Sequence, residues 1–142
     1  MNIRPLTEQL YICPQLTEAD IADAVKLGIR TVICNRPDQE EPDQPDFATV
    51  QQQLEQAGIR HNLFQPVTAP TINTADATHF ADLLAQAEQP VLAFCRTGTR
   101  STLLWGYGQA KQGRPVAEII AVAAAAGIDL SSAEARLQAE QP

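Results

Sequence analysis

A chain of 142 residues with 44% hydrophobic and 19% charged residues has the composition of one globular domain, long enough to bury roughly 68–70% of its extended surface. Its net charge of −7, with no basic patch outside Arg96 and Arg100, argues against nucleic acid as a partner. No run approaches the ~18 consecutive apolar residues that span a bilayer, and no apolar signal core comes after Met1. Cys13, Cys34 and Cys95 are odd in number and lack zinc-type spacing, so no disulfide framework or metal knuckle is expected, and a reducing cytoplasm fits best.

Gln9 to Cys13 alternates β-formers and predicts a first strand, stopped by Pro14. Thr17 reads as the N-cap of a helix with acids in its first turn, an apolar stripe of Ile21, Ala24 and Val25, and Gly28 at its end. Ile29 to Cys34 is the second strand. Strand, helix and strand at this spacing need a crossover, and hence a parallel pair. Asn35 to Pro45 contains three prolines and four acids and cannot be regular. It leaves the C-terminal edge of a parallel strand, where α/β sheets bind ligands, so it either flanks a site or is a solvated acidic connection.

Asp46 caps a second helix through Val50 and Leu54 to Gly58, and Ile59 to Phe64 gives the third strand. Asn73 or Thr74 opens a third helix with Phe80, Leu83 and Leu84 inward, after which Pro90 introduces a buried strand ending at Cys95. Ser101 to Ala110 is a helix in which Gly106 and Gly108 serve close approach to the sheet. Pro115 takes the first position of a further helix through Ala126, and Ser131 to Ala139 forms one more short helix or a frayed tail. His61 and His79 lie on different elements, so no metal and no cofactor is expected.

Cys95 to Arg100 is therefore the connection from a buried strand to a helix N-terminus, where free N–H donors and the helix dipole favour an anion. A thiol placed there beside Arg96 and Arg100 is expected to ionise more readily than a free thiol at about 8.5, and the thiolate is the nucleophile. Arg100 matches an oxyanion bidentately, and Gly98 allows positive φ or close approach of the anion. Ser101 is placed to donate a hydrogen bond to the thiolate as it departs. Arg96, Thr97, Gly98, Thr99 and Arg100 are the expected phosphate-binding residues. The competing reading of Cys95 is an inert core thiol, as expected for Cys13 and Cys34.

Four blocks carry a resemblance: Gln9-Leu10-Tyr11-Ile12-Cys13-Pro14-Gln15-Leu16, Thr31-Val32-Ile33-Cys34-Asn35-Arg36-Pro37-Asp38, Pro66-Val67-Thr68, and Phe94-Cys95-Arg96-Thr97-Gly98-Thr99-Arg100-Ser101. In this order they resemble the bacterial beta-lactamase-hydrolase-like phosphatase-like family, a group of unknown function related to dual-specificity protein phosphatases. The resemblance implies one phosphatase-like α/β domain over residues 1–142, of three layers, with a central mostly parallel sheet of four to five strands between helices. It further implies that Cys95 attacks phosphorus to form a phosphocysteine, that Arg100 binds the equatorial oxygens, and that the partner is a phosphorylated protein or small molecule.

The sequence departs from the commoner pattern in three places. Arg96, Thr97, Gly98 and Thr99 separate Cys95 from Arg100, one residue fewer than is usual in cysteine phosphatases and close to the loop of rhodanese sulfurtransferases, whose cysteine carries a persulfide. Phe94 stands where a histidine usually precedes the cysteine. Residues 67–73 contain no acid, so the proton donor is sought in the proline-rich loop, at Asp38, Glu40 or Glu41. Sulfur transfer at Cys95 and an anion-binding module without turnover therefore stand beside the phosphatase reading.

Overall fold

The computed structural model describes all 142 residues. Five short strands, β1 (Arg4–Pro5), β2 (Leu10–Cys13), β3 (Thr31–Cys34), β4 (His61–Phe64) and β5 (Val91–Phe94), form one sheet in the order β1-β2-β5-β3-β4. All neighbours are parallel except β1, which pairs antiparallel with β2. The crossovers are α1 (Glu18–Lys26), α2 (Phe47–Gln56) and α3 (Thr74–Gln86), and α4 (Thr99–Lys111), α5 (Val116–Ala125) and α6 (Glu134–Ala139) come after β5.

The most apolar strand takes the centre. Val91, Leu92, Ala93 and Phe94 are all buried, as a strand covered on both faces requires. Alternation divides them between two cores: Val91 and Ala93 pack with residues of α3 to α6, and Leu92 and Phe94 with residues of α1 and α2. The result is three layers, helices on each face of one sheet. Phe94 pairs with Cys13 on one side and Cys34 on the other, so the exits of β2, β5 and β3 lie side by side.

Side-chain caps fix where the helices begin. Thr17 and Asp20 form a capping box on α1, Asn73 and Asp76 form one on α3, and Asp46 accepts the Thr49 N–H at α2. β1 brings the sheet to five strands, within the expected four to five, although the sequence pattern does not signal it, because two residues, one of them proline, carry no periodicity. Three expectations change. Val25 is exposed, and the buried face of α1 is Asp20, Ile21 and Ala24 instead. Asp20 tolerates burial because its carboxylate accepts the Thr17 N–H and the Asn2 amide. Gly106 abuts the C-terminal helices rather than the sheet: a Cβ there would stand 3.3 Å from Ile119 and 3.4 Å from Leu137, while one at Gly108 meets nothing within 4 Å. Pro115 caps α5 from outside rather than taking its first position. No helix is long and apolar enough to cross a membrane.

Candidate active site

The helix after the central strand starts two residues earlier than expected, at Thr99, and this sets the shape of the turn. Gly98 is its N-cap at φ 93°, a left-handed conformation that costs any other residue strain. That conformation directs the Gly98 N–H onto Cys95 Sγ at 3.1 Å. Thr102 ties the turn down, giving both its backbone N–H and its hydroxyl to Gly98 O, at 3.2 and 2.8 Å. The N–H groups of Arg96, Thr97, Thr99, Arg100 and Ser101 have no acceptor within the protein. Five free donors beside one sulfur, at a helix N-terminus, make a seat for an oxyanion.

Cys95 is fully buried at the floor of this turn. The other two thiols differ. Burial pushes both Cys13 and Cys34 up to about 12, with nearby acids adding to the shift at Cys13, and Cys34 donates to the Arg36 carbonyl at 3.4 Å. These are core thiols, as expected.

Arg100 lies in the first turn of α4, its side chain 13% exposed. Its Nη1 donates to Glu40 Oε2 at 2.8 Å and to Val67 O at 3.0 Å, and its Nη2 to Glu40 Oε1 at 2.8 Å. Glu40 also accepts from Arg36 Nε at 2.9 Å, and Arg36, almost fully buried, is anchored by Gln15 at 3.0 Å. Glu41 reaches Arg96 at 3.0 Å and Arg36 at 3.6 Å. The proline-rich loop is thus fastened over the turn by three arginines and two glutamates, and its flanking position, open in the sequence, is settled by these contacts.

Those contacts also place the candidate acids. The hydrogen bond from Arg100, reinforced by Arg36, holds the Glu40 carboxyl below its ordinary value, so Glu40 is a poor proton donor. Glu41 is engaged by Arg96. Asp38 accepts the Phe47 N–H through Oδ1 at 2.8 Å and its second oxygen has no partner. Asp76 is part of the α3 cap. Ser101 gives its one hydroxyl proton to Asn35 Oδ1 at 2.8 Å, not to the Cys95 sulfur.

The sequence pattern assigns Asn35, Arg36 and Gln15 no role in the site, yet the structure brings all three to it. Asn35 joins three segments: its N–H bonds Phe94 O, its amide bonds Gln65 O at 3.0 Å, and its Oδ1 receives Ser101. The signal available is polarity itself, since Asn-Arg directly after a buried strand is an unusual pair to enclose.

The fold and much of the sequence recur in known proteins. A candidate phosphatase from Neisseria meningitidis superposes with a TM-score of 0.97 at 54% identity, over 99% of each chain. The beta-lactamase hydrolase-like protein of Agrobacterium fabrum is 38% identical over 109 residues, 77% of this chain, which spans 25% of that longer protein. TpbA from P. aeruginosa, solved in complex with pTyr, shares the fold at 20% identity and a TM-score of 0.72, over 96% of this chain and 83% of that one. Residues 2–113 match the model of the phosphatase-like domain of beta-lactamase hydrolase-like proteins, and the chain belongs to that family of domains built like tyrosine and dual-specificity phosphatases.

Proposed function

We propose that this domain hydrolyses phosphate monoesters through a phosphocysteine at Cys95, as tyrosine and dual-specificity phosphatases do, and works in the cytoplasm without metal or cofactor. The observation that carries the reading is the set of unpartnered N–H groups at residues 96, 97 and 99 to 101, gathered at the start of α4 beside a buried sulfur. Such donors stabilise the equatorial oxygens as charge builds on them. In the first step a Cys95 Sγ lone pair forms the S–P bond, the ester P–O bond breaks, and the leaving oxygen takes a proton. Asp38 supplies that proton, since of the three candidate acids it alone is paired with no arginine, whereas Glu40 and Glu41 are both engaged by arginines. In the second step water attacks phosphorus, its proton returns to Asp38, the S–P bond breaks and phosphate leaves. The substrate is a phosphorylated protein or small molecule, and the pTyr complex of TpbA supports an aryl phosphate as first probe.

The four-residue spacing favours one rival, sulfur transfer through a Cys95 persulfide, because a tighter ring suits sulfur better than phosphate. Hydrolysis of p-nitrophenyl phosphate by the wild type, Cys95→Ser, Arg100→Lys and Asp38→Asn separates the readings. We expect turnover that Cys95→Ser reduces to background and Arg100→Lys lowers by on the order of 100- to 1,000-fold. Asp38→Asn spares this activated ester but slows phenyl phosphate and changes its pH profile. Absent wild-type turnover together with cyanide-dependent thiocyanate formation from thiosulfate gives the site to sulfur transfer. Phosphate binding with neither activity makes it a binding module.

A further inference from the structure

The sheet order puts β3 and its proline-rich loop on one side of the turn after β5, and β2 with β1 on the other. On that second side a cleft of about 190 Å³ opens between the first residues of the chain and the end of α5, with Asn2, Arg4, Pro14 and Ile128 in its lining. Thr97 and Gly98 of the turn line it too. Gly98 lies so close that a Cβ there would stand 3.3 Å from Ile128. The oxyanion seat and the cleft are therefore immediate neighbours, joined through two residues.

Arg4 is the one charged residue of that lining. It is exposed and has no acceptor and no carboxylate partner in the protein, whereas Arg36, Arg96 and Arg100 are each paired with a glutamate. Its charge is unmatched, yet its backbone is fixed. Ile3 and Leu6 are buried on either side of it, Asn2 donates to Asp20 at 3.0 Å, and Arg4 itself pairs with Ile12 in the sheet. β2 then leads directly to Gln15, whose N–H bonds Arg96 O at 3.2 Å. Sheet register and this one bond hold Arg4 in place relative to the turn.

We propose that the cleft is a subsite for a second anionic group of the substrate, with Arg4 as the residue that selects it. The preferred substrate is then a phosphate monoester that carries a second phosphoryl or carboxylate group close to the first, which the planar fork of arginine matches. This names a substrate class within the phosphatase reading and rests on that reading for turnover, though not for binding. Volume sets the size of the group. A cleft of about 190 Å³ is smaller than the about 300–1,000 Å³ of sites that enclose a whole drug-sized ligand, so it takes one such group rather than a complete cofactor.

The binding arm of the test titrates wild type and Arg4→Gln with inorganic phosphate, methylphosphonate and alkane-α,ω-bisphosphonates of one to four methylenes. In the wild type the bisphosphonate whose length matches the span binds about 3- to 10-fold more tightly than methylphosphonate, and Arg4→Gln removes that preference. Backbone amide resonances locate the second group: phosphate moves those of residues 96–101, and the preferred bisphosphonate also moves those of Arg4 and Gly127. The kinetic arm compares kcat/KM for phenyl phosphate with that for carboxyphenyl phosphates, and for phosphotyrosine peptides with acidic or neutral neighbours. Substrates with the second anion gain through KM in the wild type, and Arg4→Gln loses the gain. A gain confined to carboxyphenyl phosphates assigns the subsite to small molecules, and one confined to peptides assigns it to a phosphoprotein. No length preference in the wild type, a preference that Arg4→Gln retains, or intact turnover with no gain for either class overturns the proposal. If the wild type hydrolyses nothing, the phosphatase reading fails alone, and the subsite stands or falls on the binding arm.

Discussion

β3 and β5 leave the sheet side by side, and each exit carries a cysteine with an arginine close behind it, yet the two thiols are in opposite chemical situations. Cys34 gives its S–H to the Arg36 carbonyl, a partner it loses on deprotonation. Cys95 receives the Gly98 N–H, a partner a thiolate keeps and strengthens. The difference originates in the connection that leaves each strand. After β3, proline and acid residues prevent a helix from starting and the chain organises itself by side-chain charge. After β5, a glycine at φ 93° turns the chain at once into α4 and leaves backbone donors free around the sulfur. The direction of one hydrogen bond, more than depth of burial, separates a thiol that gives its proton to a carbonyl from a sulfur that receives a donor.

The strongest way to sharpen that contrast is alkali. Folding holds Cys13 and Cys34 as thiols up to about 12, whereas the unfolded chain releases those protons from near 9.0. A raised folded value stabilises fully below the unfolded value and loses its effect as pH climbs towards the folded one. The melting temperature therefore falls as pH rises from 9.0 towards 12, and a Cys13→Ala, Cys34→Ala double variant falls less steeply over the same range. Equal slopes in thermal melts of the two proteins refute the assignment.

A smaller effect is expected where the two exits are joined. Ser101→Ala leaves Asn35 Oδ1 buried without its donor, which costs about 1–3 kcal/mol. Urea unfolding measures it. Asn35→Ala costs a similar amount, and the double variant loses less than the two singles combined, because both act on one bond. Strict additivity shows that Asn35 and Ser101 stabilise the two loops independently.

How much of this is legible in sequence depends on the reach of the interactions. The central strand, the turn and the three capped helices rest on neighbours a few residues apart: an apolar run into Cys95, a glycine before Arg100, and Thr17, Asp46 and Asn73 ahead of amphipathic stretches. Placing the proline-rich loop at the binding edge requires only the parallel topology. The engagement of Glu40 is out of reach, because it depends on Arg100, sixty positions away, and on Arg36, itself held by Gln15. A carboxylate in an acidic loop looks the same in sequence whether it donates a proton or grips an arginine. Ser101 misleads for a related reason: its distance in sequence to Cys95 is short, but its proton goes to a residue 66 positions away.

The smallest expected effect separates the two glutamates of that loop. Glu40 sits between Arg36 and Arg100 with its side chain 24% exposed, whereas Glu41 joins Arg96 at the rim, 47% and 61% exposed. An open pair of this kind contributes about 0–1 kcal/mol and is screened by salt. Glu41→Gln is therefore expected to leave the melting temperature nearly unchanged. Removing its charge still raises the net positive charge around the turn by one, so inorganic phosphate binds somewhat tighter at low ionic strength. That gain disappears in high salt, since it acts through solvent. A gain in phosphate affinity that Glu41→Gln keeps in high salt means that Glu41 acts on the turn at close range rather than through solvent.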